Sequence, residues 1–316
     1  MNDHPENMIK NRMIKNWKQL KKFADKNVYE ALRIYDRDIP EFPYIIEKYG
    51  HFFVVWEKGK DGYEYRERNI QVKDALVEMF SSNDDHIFFK KRLKQRGSTQ
   101  YERLENTNDF FSIREGDFKF KINLNDFLDT GLYLNHRPLR KEIKEKASQK
   151  NFLNLFSYTS SMSVAAAMGG AKTTSIDLSN TYLSWGRDNF ELNNIDMEKH
   201  QFIKENVLRY LEKSKTLGKS FDIIYCDPPT FSNSKKMDEN FEIQEDHEKL
   251  INLCMSVLSD KGELYFSGHK KSFKLSSSII SNFEISDISN KSIPQDFRNK
   301  RIHYLYNIKH KTSKFL

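Results

Sequence analysis

The sequence has only two cysteines, Cys226 and Cys254. Two thiols can build neither a disulfide framework nor a cysteine-rich zinc site. No apolar run approaches the roughly 20 residues that a membrane-spanning helix needs. The stretch from Met1 to Lys10 lacks the apolar core of a secretory signal. These absences predict a cytoplasmic, soluble chain that engages no membrane and no metal. A large charge of one sign is missing too: 52 Lys and Arg face 45 Asp and Glu, a formal +7 with a pI near 9.0. That excess suits an anionic partner without identifying one.

What is present is length and aromatic bulk. With 316 residues the chain exceeds one ordinary core, so one large domain or two are expected. A charged fraction of 31% against 38% hydrophobic is polar for a globular protein, but 24 Phe, 15 Tyr and 3 Trp can pack a core, which sets disorder aside.

Residues 1–27 read as a basic helix. Met13, Trp17, Leu20, Phe23 and Ala24 recur at three- and four-residue steps, and the opposite face carries Lys10, Arg12, Lys15, Lys18, Lys21, Lys22 and Lys26. Such a face is either simply solvated or follows a phosphate backbone. Residues 28–117 read as a small α+β domain, with strands at 31–35, 44–48, 51–57, 86–91 and 110–114 and one amphipathic helix at 69–80. Between its last strands lies a basic stretch containing Lys90, Lys91, Arg92, Lys94 and Arg96, then Gln100 and Tyr101. Cations beside an aromatic ring suit phosphate contact with base stacking, although an exposed loop explains the same composition.

Residues 118–316 change to strand–loop–helix units, the pattern of an α/β domain with a mainly parallel sheet. The strand at 152–156 runs into the small-residue loop Ser157-Tyr158-Thr159-Ser160-Ser161. The strand at 173–176 ends in Asp177, followed by Leu178 and Ser179. An acidic residue there can accept hydrogen bonds from ribose hydroxyls. The first loop lacks the glycine fingerprint of dinucleotide sites, which disfavours nicotinamide and flavin cofactors and points to a nucleoside without a pyrophosphate. A strand at 200–203 precedes Glu205 and Asn206. The apolar strand at 221–226 enters Asp227-Pro228-Pro229-Thr230-Phe231, where two prolines stiffen the chain beyond a buried strand. This presents Asp227 and Phe231 at the sheet edge where ligands bind. Arg137, in Asn135-His136-Arg137, has the two-pronged geometry that holds a carboxylate.

Together, Asn154-Leu155-Phe156-Ser157-Tyr158-Thr159, Gly169-Gly170-Ala171, Asp177-Leu178-Ser179, Asp227-Pro228-Pro229-Thr230-Phe231-Ser232-Asn233-Ser234-Lys235 and Gln295-Asp296-Phe297 closely resemble class I S-adenosylmethionine (SAM) methyltransferases. Within them the chain resembles the K half of the bacterial K/L enzymes, which methylate guanine N7 in 23S rRNA. The resemblance covers nearly the whole chain, including Arg33 to Asp36 and Asp129 to Leu134. It implies a Rossmann-like methyltransferase domain preceded by the small α+β domain, SAM as cofactor, and 23S rRNA or a large-subunit precursor as partner. It implies that Phe156 and Ser157 to Ser160 pack against the methionine part of SAM, and that Asp177, with Leu178 and Ser179, takes the ribose. Asn206 then meets adenine, Arg137 approaches the methionine carboxylate, and Asp227, Pro228, Pro229 and Phe231 frame the methyl group and the guanine. RNA contacts are expected from Lys90, Arg92, Arg96, Gln100, Tyr101, Lys235 and Lys270. Three residues depart from the pattern: Ser160 for a usual Gly, Asn206 for a usual Asp, and Asn135 for a usual Asp. They put SAM affinity, more than the fold, at issue.

Guanine N7 already carries a lone pair and needs no proton removed, so direct in-line transfer needs orientation rather than a strong base. The close alternative, cytosine C5 methylation, requires a cysteine nucleophile. Cys226 lies inside a strand, Cys254 in a helix, and the late strand ends Phe266-Ser267-Gly268-His269 without one. An rRNA-binding assembly factor with a weakened SAM site is the reading from another class.

Overall fold

The computed structural model describes residues 7–58, 66–91, 105–232 and 240–311. They form two compact units, Met1–Thr130 with Gln295–Asn299, and Gly131–Pro294 with Lys300–Leu316. No described helix is long and apolar enough to cross a membrane.

The first unit contains α1 (Met8–Asn27), β1 (Ala31–Asp36), β2 (Tyr44–Tyr49), β3 (Phe52–Glu57), α2 (Arg66–Phe80), β4 (Ile87–Lys91), β5 (Phe110–Glu115) and β6 (Phe118–Asn123). Strands β1 to β4 make one sheet in that order. The first three are antiparallel, and β4 returns parallel to β3 after α2. Helix α1 buries Ile9, Met13, Leu20 and Ala24 in the core formed with Leu32, Ile34, Phe53 and Val55. Its other face leaves Lys15, Lys18, Lys21, Lys22 and Lys26 exposed.

Arg33, at a bulge in β1, explains two of the sequence motifs. Its guanidinium meets Glu47 at 2.8 Å and Asp36 at 3.2 Å, and lies 3.9 Å above the Phe297 ring. Its backbone N–H donates to Asp296 at 2.9 Å. Burial works against the Arg33 charge, and the two carboxylates outweigh it. The Gln295-Asp296-Phe297 segment is therefore a structural insertion into the first unit.

The units divide at 130/131, whereas the sequence reading places a domain boundary at 117/118. The reason is the hairpin of β5 and β6, which pairs Phe110 with Asn123 through to Glu115 with Phe118. A cut at 117/118 would separate its two strands.

The second unit contains α3 (Arg137–Lys146), β7 (Asn151–Leu155), α4 (Ser161–Met168), β8 (Lys172–Asp177), α5 (Asn180–Leu192), β9 (His200–Lys204), α6 (Val207–Thr216), β10 (Phe221–Cys226), β11 (Phe231–Ser232), β12 (Phe241–Glu242), α7 (Ile243–Ser256), β13 (Leu258–Gly268), α8 (Ser277–Asn282), β14 (Phe283–Asp287), α9 (Ser289–Ser292) and β15 (Tyr304–His310). Its sheet runs β14-β15-β13-β10-β7-β8-β9. β13, β10, β7, β8 and β9 are parallel, and β15 runs antiparallel to both β13 and β14. This is the expected α/β architecture with a mostly parallel sheet.

The central strands β7 and β10 are buried on both faces along most of their length, as parallel sheets require. Helix α3 escapes a sequence reading because its ten residues are mostly charged and Pro138 looks like a breaker. Proline suits the first turn of a helix, where its missing N–H costs nothing.

Candidate functional site

Chain order reverses between β7 and β10. Strands β8 and β9 lie on one side of β7, and β10 and β13 on the other. The crevice at such a reversal, outside the carboxyl ends of the strands, is where open α/β sheets bind ligands. Residues 156–160 leave the sheet there after β7, and Asp227 to Thr230 leave it after β10.

The loop after β7 contains no glycine, yet Phe156, Tyr158 and Ser160 have φ of +55°, +49° and +56°. Such residues each cost on the order of 1–3 kcal/mol unless their surroundings hold them. Here Ser157 N–H donates to the Ile176 carbonyl at 2.9 Å, and Tyr158 N–H to Asp177 Oδ2 at 2.9 Å. The Tyr158 hydroxyl accepts from Gly131 N–H at 2.9 Å, and Thr159 Oγ1 donates to the Gly131 carbonyl at 2.7 Å. Ser160 occupies a backbone conformation that glycine favours. Its buried side chain packs toward α5, where Gly186 makes room: a Cβ there would lie 2.7 Å from Ser160 Oγ.

Asp177 closes β8. Its Oδ1 accepts from Ser179 N–H at 2.8 Å and its Oδ2 from Tyr158 N–H, which leaves lone pairs for further donors. Burial raises this half-buried carboxyl, the N–H groups of Ser179, Tyr158 and Leu178 draw it back, and it settles at about 6. Ser179 caps α5 through its hydroxyl. Asn206 follows β9 and caps α6, its Oδ1 accepting from Arg209 N–H at 3.2 Å. That oxygen keeps a second lone pair, and the amide N–H groups of Asn206 are donors, so both can address a base. Arg137 is buried in the first turn of α3, one residue after His136.

Asp227 follows β10 directly. Its Oδ2 accepts from the Tyr225 hydroxyl at 3.2 Å and lies 3.4 Å from His136 Nε2. Burial works to raise the Asp227 carboxyl, and the His136 ring beside it more than reverses this, so the group is a carboxylate. Burial likewise pushes the His136 imidazole down. The His136 ring stacks on His303 at 4.9 Å and approaches His269 at 6.0 Å. One ligand atom each from His136, Asp227 and His269 lies within 4.8 Å of the others, a spacing that a divalent ion can bridge. Pro228 is buried, while the Phe231 ring, in β11, remains 48% exposed at the same edge.

The histidine cluster was not legible as a site. In sequence His136 stands inside a motif that points to Arg137, and His269 and His303 lie outside every motif. A signal existed: Ser267-Gly268-His269 leaves β13 at the same end as Asp227 leaves β10. The strand register confirms their adjacency by pairing Cys226 with Phe266.

Among the expected RNA contacts, Arg92, Arg96, Gln100, Tyr101 and Lys235 lie outside the described residues. Lys90 donates from Nζ to the carbonyls of Phe127 and Leu128 at 2.6 and 3.1 Å. Lys270 forms an ion pair with Glu242, whose carboxylate also caps α7. Both ammonium groups therefore have partners within the fold.

The donor set at the crevice suits a nucleoside: a carboxylate for hydroxyls at β8, an amide at β9, and a tight loop at β7 with no pyrophosphate cradle. Comparison with known proteins agrees. Residues 64–267 match the family described as S-adenosylmethionine-dependent methyltransferases. The chain is 45% identical to "Ribosomal RNA large subunit methyltransferase K" of Neisseria meningitidis, over 96% of this chain and 87% of that one. It is 43% identical to "Ribosomal RNA large subunit methyltransferase K/L" of Psychromonas ingrahamii, covering 93% of this chain but only 40% of that longer one. The crystal structure of SMU.776 complexed with SAH superposes with a TM-score of 0.78 at 26% identity, over 96% of this chain and 81% of that one. Crevice, loops and relatives converge: the chain belongs to the S-adenosylmethionine-dependent methyltransferase family.

Proposed function

We propose that this chain methylates N7 of a guanine in 23S rRNA, free or within a large-subunit precursor. The rRNA reading is carried by the 45% identity, across nearly the full length of both chains, to a relative named for large-subunit rRNA methylation. The N7 reading is supported by what the site lacks. Cys226 and Cys254 are the only thiols of the chain, both are 0% exposed, and burial pushes the Cys226 thiol well up. Neither can add to a pyrimidine ring as a thiolate. N7 needs no such help and no proton removal.

Bound SAM supplies an electrophilic methyl group on a sulfonium. Asp177 accepts from its ribose hydroxyls, Asn206 meets the adenine edge, and Arg137 with residues 156–160 holds the methionine part. Asp227 to Phe231 frame the guanine, and the exposed Phe231 ring gives it a stacking surface. The lysine face of α1 offers contacts to RNA phosphates.

An assembly factor with a weakened SAM site was motivated by Ser160, Asn206 and Asn135. Ser160 packs against Gly186 and Asn135 bonds His303 at 2.9 Å, so two of the three departures have places in the protein's own packing. Calorimetry with SAH separates the readings, since an assembly factor with a failed pocket would show no heat of binding.

The ionised form of Asp177 is the one that accepts two ribose hydroxyls. SAH affinity is therefore expected to fall as pH drops through about 6, and an Asp177→Asn variant to lose that dependence. For folding without ligand the sign is opposite. The folded carboxyl lies above its unfolded value of about 3.9, so this group favours the fold most below pH 4 and loses that contribution as pH rises through 6. Calorimetry and urea unfolding across pH 4–8 check both. The function itself is tested by incubating deproteinised 23S rRNA with the chain and SAM, then cleaving at N7-methylguanine. One new cleavage site is expected, and methyl incorporation only at cytosine would overturn the N7 reading.

A further inference from the structure

His136 presents an anomaly. It is 2% exposed, yet its Nδ1 has no hydrogen-bond partner, its Nε2 has only Asp227 Oδ2 nearby at 3.4 Å, and Asp227 Oδ1 has no partner either. The buried Ser267 Oγ and Tyr304 hydroxyl are also unpaired. Buried polar groups are nearly always paired in folded proteins. A group of unpaired atoms at the ligand-binding edge of the sheet marks a place where a ligand supplies the partners.

His136 is held without spending its nitrogens. It stacks on His303 at 19° and meets Tyr225 edge-on at 77°. The protonation of His303 follows from hydrogen bonds alone. Ser292 Oγ donates its one proton to the Ser289 carbonyl at 2.7 Å, so at 2.6 Å His303 Nε2 must donate to Ser292. A neutral imidazole then has a bare Nδ1, which accepts from Asn135 Nδ2 at 2.9 Å. Asn135 thus keeps an uncharged ring under His136, whereas an aspartate there would accept a hydrogen bond and favour a cation.

From this arrangement we propose that His136 reads the target base, donating an N–H to guanine O6 while Asp227 accepts from guanine N1–H. The inference rests on the guanine reading above and deepens it. The two groups lie 3.4 Å apart, so they address neighbouring positions on one base edge. Guanine offers an acceptor next to a donor, which complements an N–H next to a carboxylate. Adenine offers a donor next to a bare N1, which would face the carboxylate lone pairs unpaired. N7 lies on the far side of O6 and stays open for methyl transfer. A site built to bond a particular group rejects an analogue lacking it far more strongly than a hydrophobic pocket does.

The test compares the wild-type chain with His136→Ala and His136→Gln. SAH affinity by calorimetry is expected to stay within about threefold in both, which shows that the fold and cofactor pocket survive. Methyl transfer (kcat/KM) to 23S rRNA is expected to fall about 10²-fold in His136→Ala and to recover to within about tenfold in His136→Gln, whose amide keeps an N–H donor. On an RNA fragment carrying the methylated position, wild type is expected to prefer guanine over 2-aminopurine, which keeps N7 but lacks O6 and N1–H. His136→Ala is expected to lose most of that preference. Unchanged rate and preference in His136→Ala would overturn the proposal. So would one equivalent of Zn²⁺ bound by wild type, lost in His136→Ala and required for methyl transfer, which would assign the cluster to a metal. Failure of the guanine reading looks different: wild type itself would then methylate no rRNA guanine.

Discussion

Replacing Asp227 with asparagine is expected to lower methyl transfer by about 10²–10³-fold, the cost typical of removing one preorganised charge from a water-poor site. The carboxylate sits at the end of β10 with its side chain 11% exposed, anchored by the Tyr225 hydroxyl and facing His136. Asparagine preserves shape but replaces one acceptor oxygen by a donor, which confronts guanine N1–H with a second donor. SAH binding should persist, because Asp177, on another strand, carries the ribose. Alanine should do further damage: it strands the buried Tyr225 hydroxyl, at a cost of about 1–3 kcal/mol in folding. Single-turnover methylation of 23S rRNA and urea unfolding separate the two effects. An Asp227→Asn enzyme with wild-type turnover would remove this residue from the mechanism.

Gly131→Ala is expected to be strongly damaging to the second unit. Gly131 has φ +99°, and an added Cβ would lie 2.8 Å from Trp185 Cη2 and closer still to Cζ2. Backbone and space both refuse the methyl group, so about 3 kcal/mol or more of stability should be lost. The functional consequence is larger than the packing defect. Gly131 N–H and carbonyl hold the Tyr158 hydroxyl and Thr159 Oγ1, two of the ties that keep the loop after β7 in its strained conformation. Displacing the glycine releases the loop, so SAH affinity should fall at least tenfold even at temperatures where the chain stays folded. Thermal unfolding with and without SAH checks both. Unaltered SAH affinity would show that the loop is held by other means.

The site was legible in proportion to how local its chemistry is. Asp227-Pro228-Pro229 after an apolar strand, and Asp177 at a strand tip, announce themselves because strand periodicity and proline stiffness act over a few residues. Lys90 and Lys270 show the complementary limit, because their partners within the fold are distant in sequence. A lysine in a basic or polar stretch looks free for phosphate until the fold shows Phe127, Leu128 and Glu242 accepting from it. Asn135 reads as a departure that weakens the site, but opposite His303 it is the donor that a neutral ring requires.

By itself the sequence determined the element types, the mainly parallel sheet, the carboxyl-edge loops with their two aspartates, and the methyltransferase family, since all of these rest on patterns within short windows. Only the tertiary structure decided that the 295–299 segment belongs with the first unit, that Ser160 packs toward Gly186, and that three histidines from separate elements converge on Asp227. Positions 136, 227, 269 and 303 are brought together by sheet order and strand register, and those follow from burying every apolar face at once rather than from any one stretch of chain.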